Sequence, residues 1–385
     1  MFEYIAPCHF GLEAVCKREI YDLGYDVTRV EDGKVFFRGD AEAGVRANIF
    51  LRTAERILLE VGTFTARTWD ELFEGTKALP WEDYLPRDAR FWVAKAASVK
   101  SVLFSPSDIQ SVMKKAMVER LKKAYHLTVF PETGADYPVR VVLMKDQVTV
   151  GLDLSGDSLH KRGYRKLVSK APITETLAAA LLMLTPWRGD RILVDPFCGS
   201  GTFPIEAALM ATHTAPGISR EFTAGGWRNL YPEQLWREAR EEAHDLITPE
   251  IETDIQGYDL DGEIIKAARD NARAAGMDRY IHFQQRNVSE LSHPKKYGFI
   301  VTNPPYGERL EDKESLGELY ALLGERYRAL DSWSLYMITS FEGAEKAMQL
   351  KAGRNRKIYN GMLKTYFYEF QGPKPPKKNR PQGED

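Results

Sequence analysis

Cysteine is scarce in this chain: Cys8, Cys16 and Cys198 are the only three in 385 residues. That is too few for a disulfide framework, and the seven histidines are scattered without the paired spacing of a metal site, so no metal is expected. Long apolar runs are missing too. The longest, around Leu177 to Leu184, reads as an Ala/Leu helix too short and too close to charge to span a bilayer. No secretion signal is read either, and a cytoplasmic location is expected. Nor is there a bulk excess of one charge, the formal net charge being −2. Overall charge therefore gives no reason to expect a nucleic-acid partner. At 385 residues the chain is long enough for two or more domains, each with its own core.

What is present is uneven. From Arg90 to Lys170 there are 15 Lys/Arg against 7 Asp/Glu, and from Lys351 to Arg380 nine against one, whereas the first 60 residues carry 8 basic and 11 acidic. Local basic zones are the electrostatic footprint of phosphate binding, and also the ordinary solvated face of a helix. Lys114, Lys115, Lys122 and Lys123 suit either reading. Lys161-Arg162-Gly163-Tyr164-Arg165 sets three cations and an aromatic around a glycine, and is expected to clamp phosphate. Beyond Phe370, Gly372-Pro373-Lys374-Pro375-Pro376-Lys377-Lys378 is low in complexity and basic, as a solvated tail would be.

Hydrophobic periodicity divides the first half into alternating elements. Helices are predicted over Glu13 to Leu23, Ala43 to Leu51, Trp69 to Ala78 and Ser107 to Tyr125. Strands are predicted over Val27 to Val30, Lys34 to Arg38, Ile57 to Phe64 and Phe91 to Ala97, with a hairpin of Val139 to Met144 and Gln147 to Asp153 turning at Lys145-Asp146.

The second half carries the chemistry. Arg191-Ile192-Leu193-Val194 reads as a buried strand, followed by Asp195-Pro196-Phe197-Cys198-Gly199-Ser200-Gly201-Thr202 and a helix from Phe203 to Thr212. Strand, glycine turn and helix form a nucleotide-cofactor signature: Gly199 and Gly201 let backbone approach a ligand, and the helix N–H groups favour an anion. The dinucleotide fingerprint requires a third glycine where Pro204 stands, which argues against NAD. An ordinary strand-to-helix turn is the bland alternative. Asp259, ending Ile255-Gln256-Gly257-Tyr258, is placed to accept ribose hydroxyls, or else caps the helix Glu263 to Ala275, a task Asp261 could take instead. Cys198 reads as a small apolar residue packed behind the loop rather than a nucleophile, since no His partner is indicated.

Asn303-Pro304-Pro305-Tyr306 follows the apolar strand Phe299-Ile300-Val301. An exocyclic amine on a nucleobase is a poor nucleophile because its lone pair is delocalised into the ring. The Asn303 side-chain oxygen and a backbone carbonyl at Pro304 could accept its two N–H bonds and favour positive charge developing on nitrogen. Prolines fix φ and remove competing donors. Tyr306 offers a face on which a flipped base can stack. By itself the tetrapeptide could also be only a turn after a strand.

In this order, the glycine loop, Asp259 and Asn303 to Tyr306 resemble the class I S-adenosylmethionine-dependent methyltransferases that modify exocyclic amines of nucleobases. The resemblance covers roughly residues 171 to 370. It implies a Rossmann-like, seven-stranded, mostly parallel sheet with a reversed last strand, Trp333 to Thr339 and Leu363 to Phe370 being the late candidates. It also implies cofactor contacts at Asp195, Pro196, Cys198, Gly199, Gly201 and Thr202 for the methionine end, Asp259 for the ribose, and Asn287 for the adenine where relatives often have Asp. Pro172 and Glu175 match the family's cofactor pattern at the opening of the Ala/Leu helix, although Glu175 also suits the dipole of a first turn. The α+β order ahead of it, with Lys95 and Lys100 after a strand, resembles a THUMP RNA-binding domain preceded by a small ferredoxin-like segment. The expected domains are 1–45, ferredoxin-like and completed by 155–165; 46–154, THUMP; 166–370, methyltransferase; and 371–385, a flexible tail. The inserted segment from His213 to Thr253 could be a substrate-facing flap walled by Trp227, or a packing helix. As a whole the chain resembles THUMP-containing RNA guanine-N2 methyltransferases of the RlmL type. That implies RNA as partner, ribosomal RNA ahead of transfer RNA. An adenine-N6 methyltransferase and a non-catalytic RNA-binding factor are the alternatives.

Overall fold

The structure, a computed structural model, describes residues 1–165, 173–306 and 312–376, of which 312–314 by backbone alone. Pro172, Lys377 and Lys378, singled out above, lie outside the described residues. The chain divides into two compact units: Met1–Arg162 with Ala215–Ile247, and Gly163–Thr214 with Thr248–Asp385.

The first unit is built on seven strands, β1 (Phe2–Pro7), β2 (Asp26–Glu31), β3 (Lys34–Gly39), β4 (Leu58–Thr65), β5 (Arg90–Val99), β6 (Asp136–Met144) and β7 (Gln147–Asp153). They form one sheet in the order β2-β3-β1-β4-β7-β6-β5, antiparallel except for the parallel pair β5 and β6. Its helices are α1 (Glu13–Asp22), α2 (Ala41–Phe50), α3 (Trp69–Ala78) and α4 (Pro106–Tyr125). Local chemistry sets their ends. The Asp40 carboxylate accepts from Ala43 N at the start of α2, and Thr68 with Glu71 closes a capping box on α3. The β6–β7 turn takes Lys145 and Asp146 to φ +51° and +65°, matching the primed turn that a tight hairpin prefers. Cys8 and Cys16 are buried free thiols here.

The second unit holds β8 (Leu193–Asp195), β9 (Ile255–Asp259), β10 (Ile281–Gln285), β11 (Phe299–Thr302), β12 (Ser334–Thr339), β13 (Arg354–Asn360) and β14 (Leu363–Phe370). The sheet order is β10-β9-β8-β11-β12-β14-β13. From β10 to β12 all neighbours are parallel; β14 is antiparallel to β12, and β13 to β14. The expected Rossmann-like, mostly parallel sheet with a reversed last strand is what the fold contains. Around it lie α5 (Glu175–Leu184), α6 (Thr202–Ala211), and, after α7 (Glu233–Asp245) of the inserted segment, α8 (Gly262–Ala274), α9 (Asp312–Ala329) and α10 (Ala344–Met348). The chain runs outward through β8, β9 and β10, then returns to place β11 on the other side of β8. Beside that reversal stand the carboxyl ends of β8 and β11, the position at which such sheets usually bind a ligand.

The inserted segment folds with the first unit, so part of the expected 166–370 domain leaves it. Trp227 is fully buried, stacks on Tyr137 at 4.6 Å between centroids, and donates its indole N–H to the Asp136 carbonyl at 2.7 Å. Arg46 of α2 makes a two-pronged pair with Glu242 of α7 at 2.8 and 2.6 Å. Its role is packing: an indole buried on one ring and bonded at nitrogen cannot also wall a substrate.

Among the described residues no His, Cys, Asp and Glu cluster of three or more could hold a metal ion, and no helix is long and apolar enough to cross a membrane.

Candidate active site

Asp195, the last residue of β8, is buried. It accepts the Thr302 hydroxyl at 2.6 Å and the Phe197 amide at 3.1 Å. Thr302 ends β11, immediately before Asn303. One hydrogen bond thus ties the glycine-loop strand to the Asn-Pro-Pro-Tyr strand across the reversal point. The sequence reading missed Thr302, because nothing local marks a threonine whose partner is 107 residues away.

Burial pushes the Asp195 carboxyl up to about 7; the bonds from Thr302 and Phe197 pull the other way, and nearby Asp259 adds to the rise. The folded state therefore holds this proton more tightly than the unfolded chain, whose carboxyl titrates near about 4. Stability is fully present below that value, falls as pH rises toward about 7, and is level above it. The loss is on the order of 4 kcal/mol for a shift of about three units. Asp195→Asn keeps an acceptor for Thr302 and removes the slope. In urea titrations from pH 4.5 to 7.5 the variant should gain on the wild type as pH rises, and parallel curves would contradict the assignment.

The loop itself is shaped by glycines. Gly199 and Gly201 take φ +52° and +89°, and a Cβ on Gly201 would meet the Phe283 ring at 2.9 Å. Cys198 is buried, its thiol pushed up first by burial and then by Asp195 and Asp259, so it stays protonated and unreactive. Asn271 of α8 donates to the Ser200 carbonyl at 3.1 Å, a support without sequence signal. Thr202 opens α6, and Pro204 sits in its first turn, where no helical N–H is lost.

Asp259, at the tip of β9, accepts Gly199 N at 3.1 Å on one oxygen and Asp261 N at 3.0 Å on the other. Asp261 caps α8, taking Glu263 N at 2.8 Å, so Asp259 is not the cap. A carboxylate oxygen has two lone pairs, and each of these keeps one for a further donor. Asn287 is exposed, and its oxygen turns back to Ser289 N at 2.8 Å. If Asn287 is to meet the adenine as expected, its oxygen does so in competition with this bond, while its amide nitrogen is the donor side.

Among the described residues two bonds support the acceptor corner: the Tyr306 hydroxyl donates to Asn303 Oδ1, and the Tyr320 hydroxyl of α9 donates to the Pro305 carbonyl at 3.2 Å. Burial pushes the Tyr306 phenol up to about 12, so it is a neutral donor across the physiological range.

Of the three cations expected to clamp phosphate, the structure turns two inward and leaves one exposed. Arg162 is 8% exposed and spends its guanidinium on the Leu159 and Arg52 carbonyls at 2.6 and 2.5 Å. Arg165 is 13% exposed and pairs with Glu175 at 3.1 Å, also donating to Thr202 Oγ1 at 2.8 Å and the Ile173 carbonyl at 2.9 Å. Tyr164 is buried, with its hydroxyl on Glu206. Both guanidinium groups are turned inward here onto carbonyl, hydroxyl and carboxylate oxygens. Lys161 is exposed and paired with Asp157 at 3.0 Å, while Lys95 and Lys100 are exposed at β5, the edge of its sheet. Lys114 packs over the Phe91 ring at 3.6 Å, so it does not belong to a solvated stripe.

Family models match along the whole length: an RlmL ferredoxin-like domain at residues 3–58, a THUMP domain at 66–153, and an RMKL-like methyltransferase domain at 162–369. The chain belongs to the RMKL-like methyltransferase family. YpsC of Bacillus subtilis (strain 168), whose name provisionally places it among RNA methyltransferases, is 45% identical over 96% of both chains. The ribosomal RNA large subunit methyltransferase K/L of Cellvibrio japonicus (strain Ueda107) is 34% identical over 96% of this chain, which spans 51% of that longer protein. The crystal structure of SMU.472 complexed with SAH superposes with a TM-score of 0.92 at 41% identity, covering 97% of this chain and 99% of that one.

S-adenosylmethionine is the methyl donor of this family, and the residues present fit it. A loop held open by two left-handed glycines, a buried carboxylate behind it and a half-buried carboxylate with spare lone pairs at the neighbouring strand tip suit a cationic donor with a ribose.

Proposed function

We propose that this RMKL-like methyltransferase places a methyl group on the exocyclic N2 amine of a guanine in RNA, ribosomal RNA ahead of transfer RNA, in the cytoplasm. The observation that carries the reading is the Asp195–Thr302 bond, which sets the acceptor corner next to the glycine loop. RNA is favoured by the THUMP domain at 66–153 and by what the relatives' names say of those proteins.

When bound, S-adenosylmethionine supplies a sulfonium methyl that needs only an aligned nucleophile. Asp195, Pro196, Cys198, Gly199, Gly201 and Thr202 would hold its methionine end, with Glu175 fixed by Arg165 at the first turn of α5. Asp259 would take the ribose and Asn287 the adenine edge. The rest is positioning. Tyr306 stacks a flipped base, and Asn303 Oδ1 together with the Pro304 carbonyl accept the amine N–H bonds, directing the nitrogen lone pair away from the ring. The Tyr306 hydroxyl bond to Asn303 must yield for the amine to take its place. The nitrogen sheds a proton to solvent once the methyl has moved. Adenine N6 would meet the same two acceptors, so guanine rests on the family resemblance rather than on this corner.

Incubation of the protein with labelled cofactor and total RNA from a strain lacking the gene, followed by nucleoside analysis of each RNA class, tests the reading. Label is expected in N2-methylguanosine of the large ribosomal RNA. Label in transfer RNA moves the target within the class. Label in an adenine nucleoside, or none with cofactor bound stoichiometrically, overturns it.

A further inference from the structure

The hairpin β13–β14 carries no motif, yet its tip lies at the same end of the sheet as the acceptor corner: Thr302, just before Asn303, is beside Met337 of β12, and Thr339 at the end of β12 is beside Tyr366 near the start of β14. Asn360 pairs with Leu363, so only Gly361 and Met362 turn the chain. Gly361 supplies the positive φ of +60° that such a turn needs, and Met362 is left 99% exposed at the apex. Leu363 at 43% and Tyr359 at 37% widen the apolar tip. A single exposed apolar side chain is ordinary; three together at the mouth of a site suggest contact with a partner.

Cross-strand pairing sets Lys357 opposite Tyr366 and Tyr359 opposite Lys364, so one face of the hairpin alternates cation and aromatic. Lys357 Nζ lies 5.2 Å from the Tyr359 ring and Lys364 Nζ 5.1 Å from the Tyr366 ring, with Glu342 3.6 Å from Lys364. Ammonium groups interleaved with rings fit phosphates and unstacked bases. Extruding a base leaves a gap in the stack, and apolar side chains entering a base step are a known means of filling one. Methionine, unbranched and polarizable, suits an irregular gap.

We infer that the β13–β14 hairpin opens the RNA for this enzyme, Met362 entering the stack where the flipped base has left while Lys357 and Lys364 hold flanking phosphates. The inference rests on the reading above that the substrate is a base swung out of RNA. A base already unstacked needs no wedge, so the contribution of Met362 depends on the structure of the substrate.

The test is methyl transfer from labelled S-adenosylmethionine by the full chain into total RNA from a strain lacking the gene, either folded in magnesium or cut into short single strands. Met362→Gly should lose about tenfold or more on folded RNA and stay within about twofold of wild type on short strands. Met362→Leu, which restores apolar bulk, should recover most of the loss. Equal effects of Met362→Gly on both preparations, or none on either, overturn the wedge while leaving the RNA reading intact. A wild-type chain that methylates neither preparation overturns the RNA reading, and the wedge with it.

Discussion

Asn303→Ala should lower turnover by about 10²–10³-fold while the dissociation constant for S-adenosylmethionine stays close to that of the wild type; the estimate carries over from removal of one preorganised partner of developing charge. Asn303 follows Thr302 of the Asp195–Thr302 bond, and among the described residues the bonds that hold Gly199 and Asp259 do not involve its side chain. Truncation removes the proposed acceptor, which the reaction would need only when the amine is present. Single-turnover transfer beside calorimetric cofactor binding separates the two quantities, and full activity would refute the acceptor role. Tyr306 gives the internal control. Tyr306→Phe keeps the stacking face and removes the hydroxyl that occupies Asn303 Oδ1, so it should retain far more activity than Tyr306→Ala. The alanine variant loses stacking worth about 1–3 kcal/mol per base. Because the phenol is pushed up to about 12, none of this should vary between pH 6 and 9 on its account.

Asp259→Ala acts on the other half of the site. Its carboxylate holds Gly199 N and Asp261 N, and the proposed ribose hydroxyls would add to these. Hydrogen bonds to a charged acceptor are worth about 1.5–3 kcal/mol each, so loss of one ribose contact alone should weaken cofactor binding by about 10–150-fold. The freed Gly199 amide adds to the cost by loosening the loop. Asp259→Asn, with one oxygen retained, should fall between. Calorimetry with S-adenosylhomocysteine measures this without turnover. An unchanged dissociation constant for Asp259→Ala would reject the ribose role and leave the carboxylate as a loop brace only.

Much of the fold was legible because its signals are local. The Lys145-Asp146 turn and the apolar periodicity of α3 and α4 each lie within a few residues of what they specify. β1 and β13 were not read from the sequence. β13 is an edge strand whose residues Arg354-Asn355-Arg356-Lys357-Ile358-Tyr359-Asn360 bury fully only Ile358, so it has no alternation to detect. β1 lies inside its sheet with three consecutive buried residues, a run too short to distinguish from a helix segment.

The chemistry of the site was also local in origin. A glycine loop after a strand, an acid at the next strand tip and an Asn-Pro-Pro-Tyr corner are each defined by backbone conformation and residue type over fewer than ten positions. The sequence by itself therefore determined which groups could serve a methyl transfer and at which ends of which strands they stand. Only the tertiary structure decided which cations face water, that Arg165 braces Glu175 and Thr202, that residues 215–247 pack with the first unit, and that Thr302 joins the two motifs. Those choices depend on partners such as Arg52 for Arg162, 110 positions apart, where no pattern within a short window can say which side chain will satisfy a buried donor.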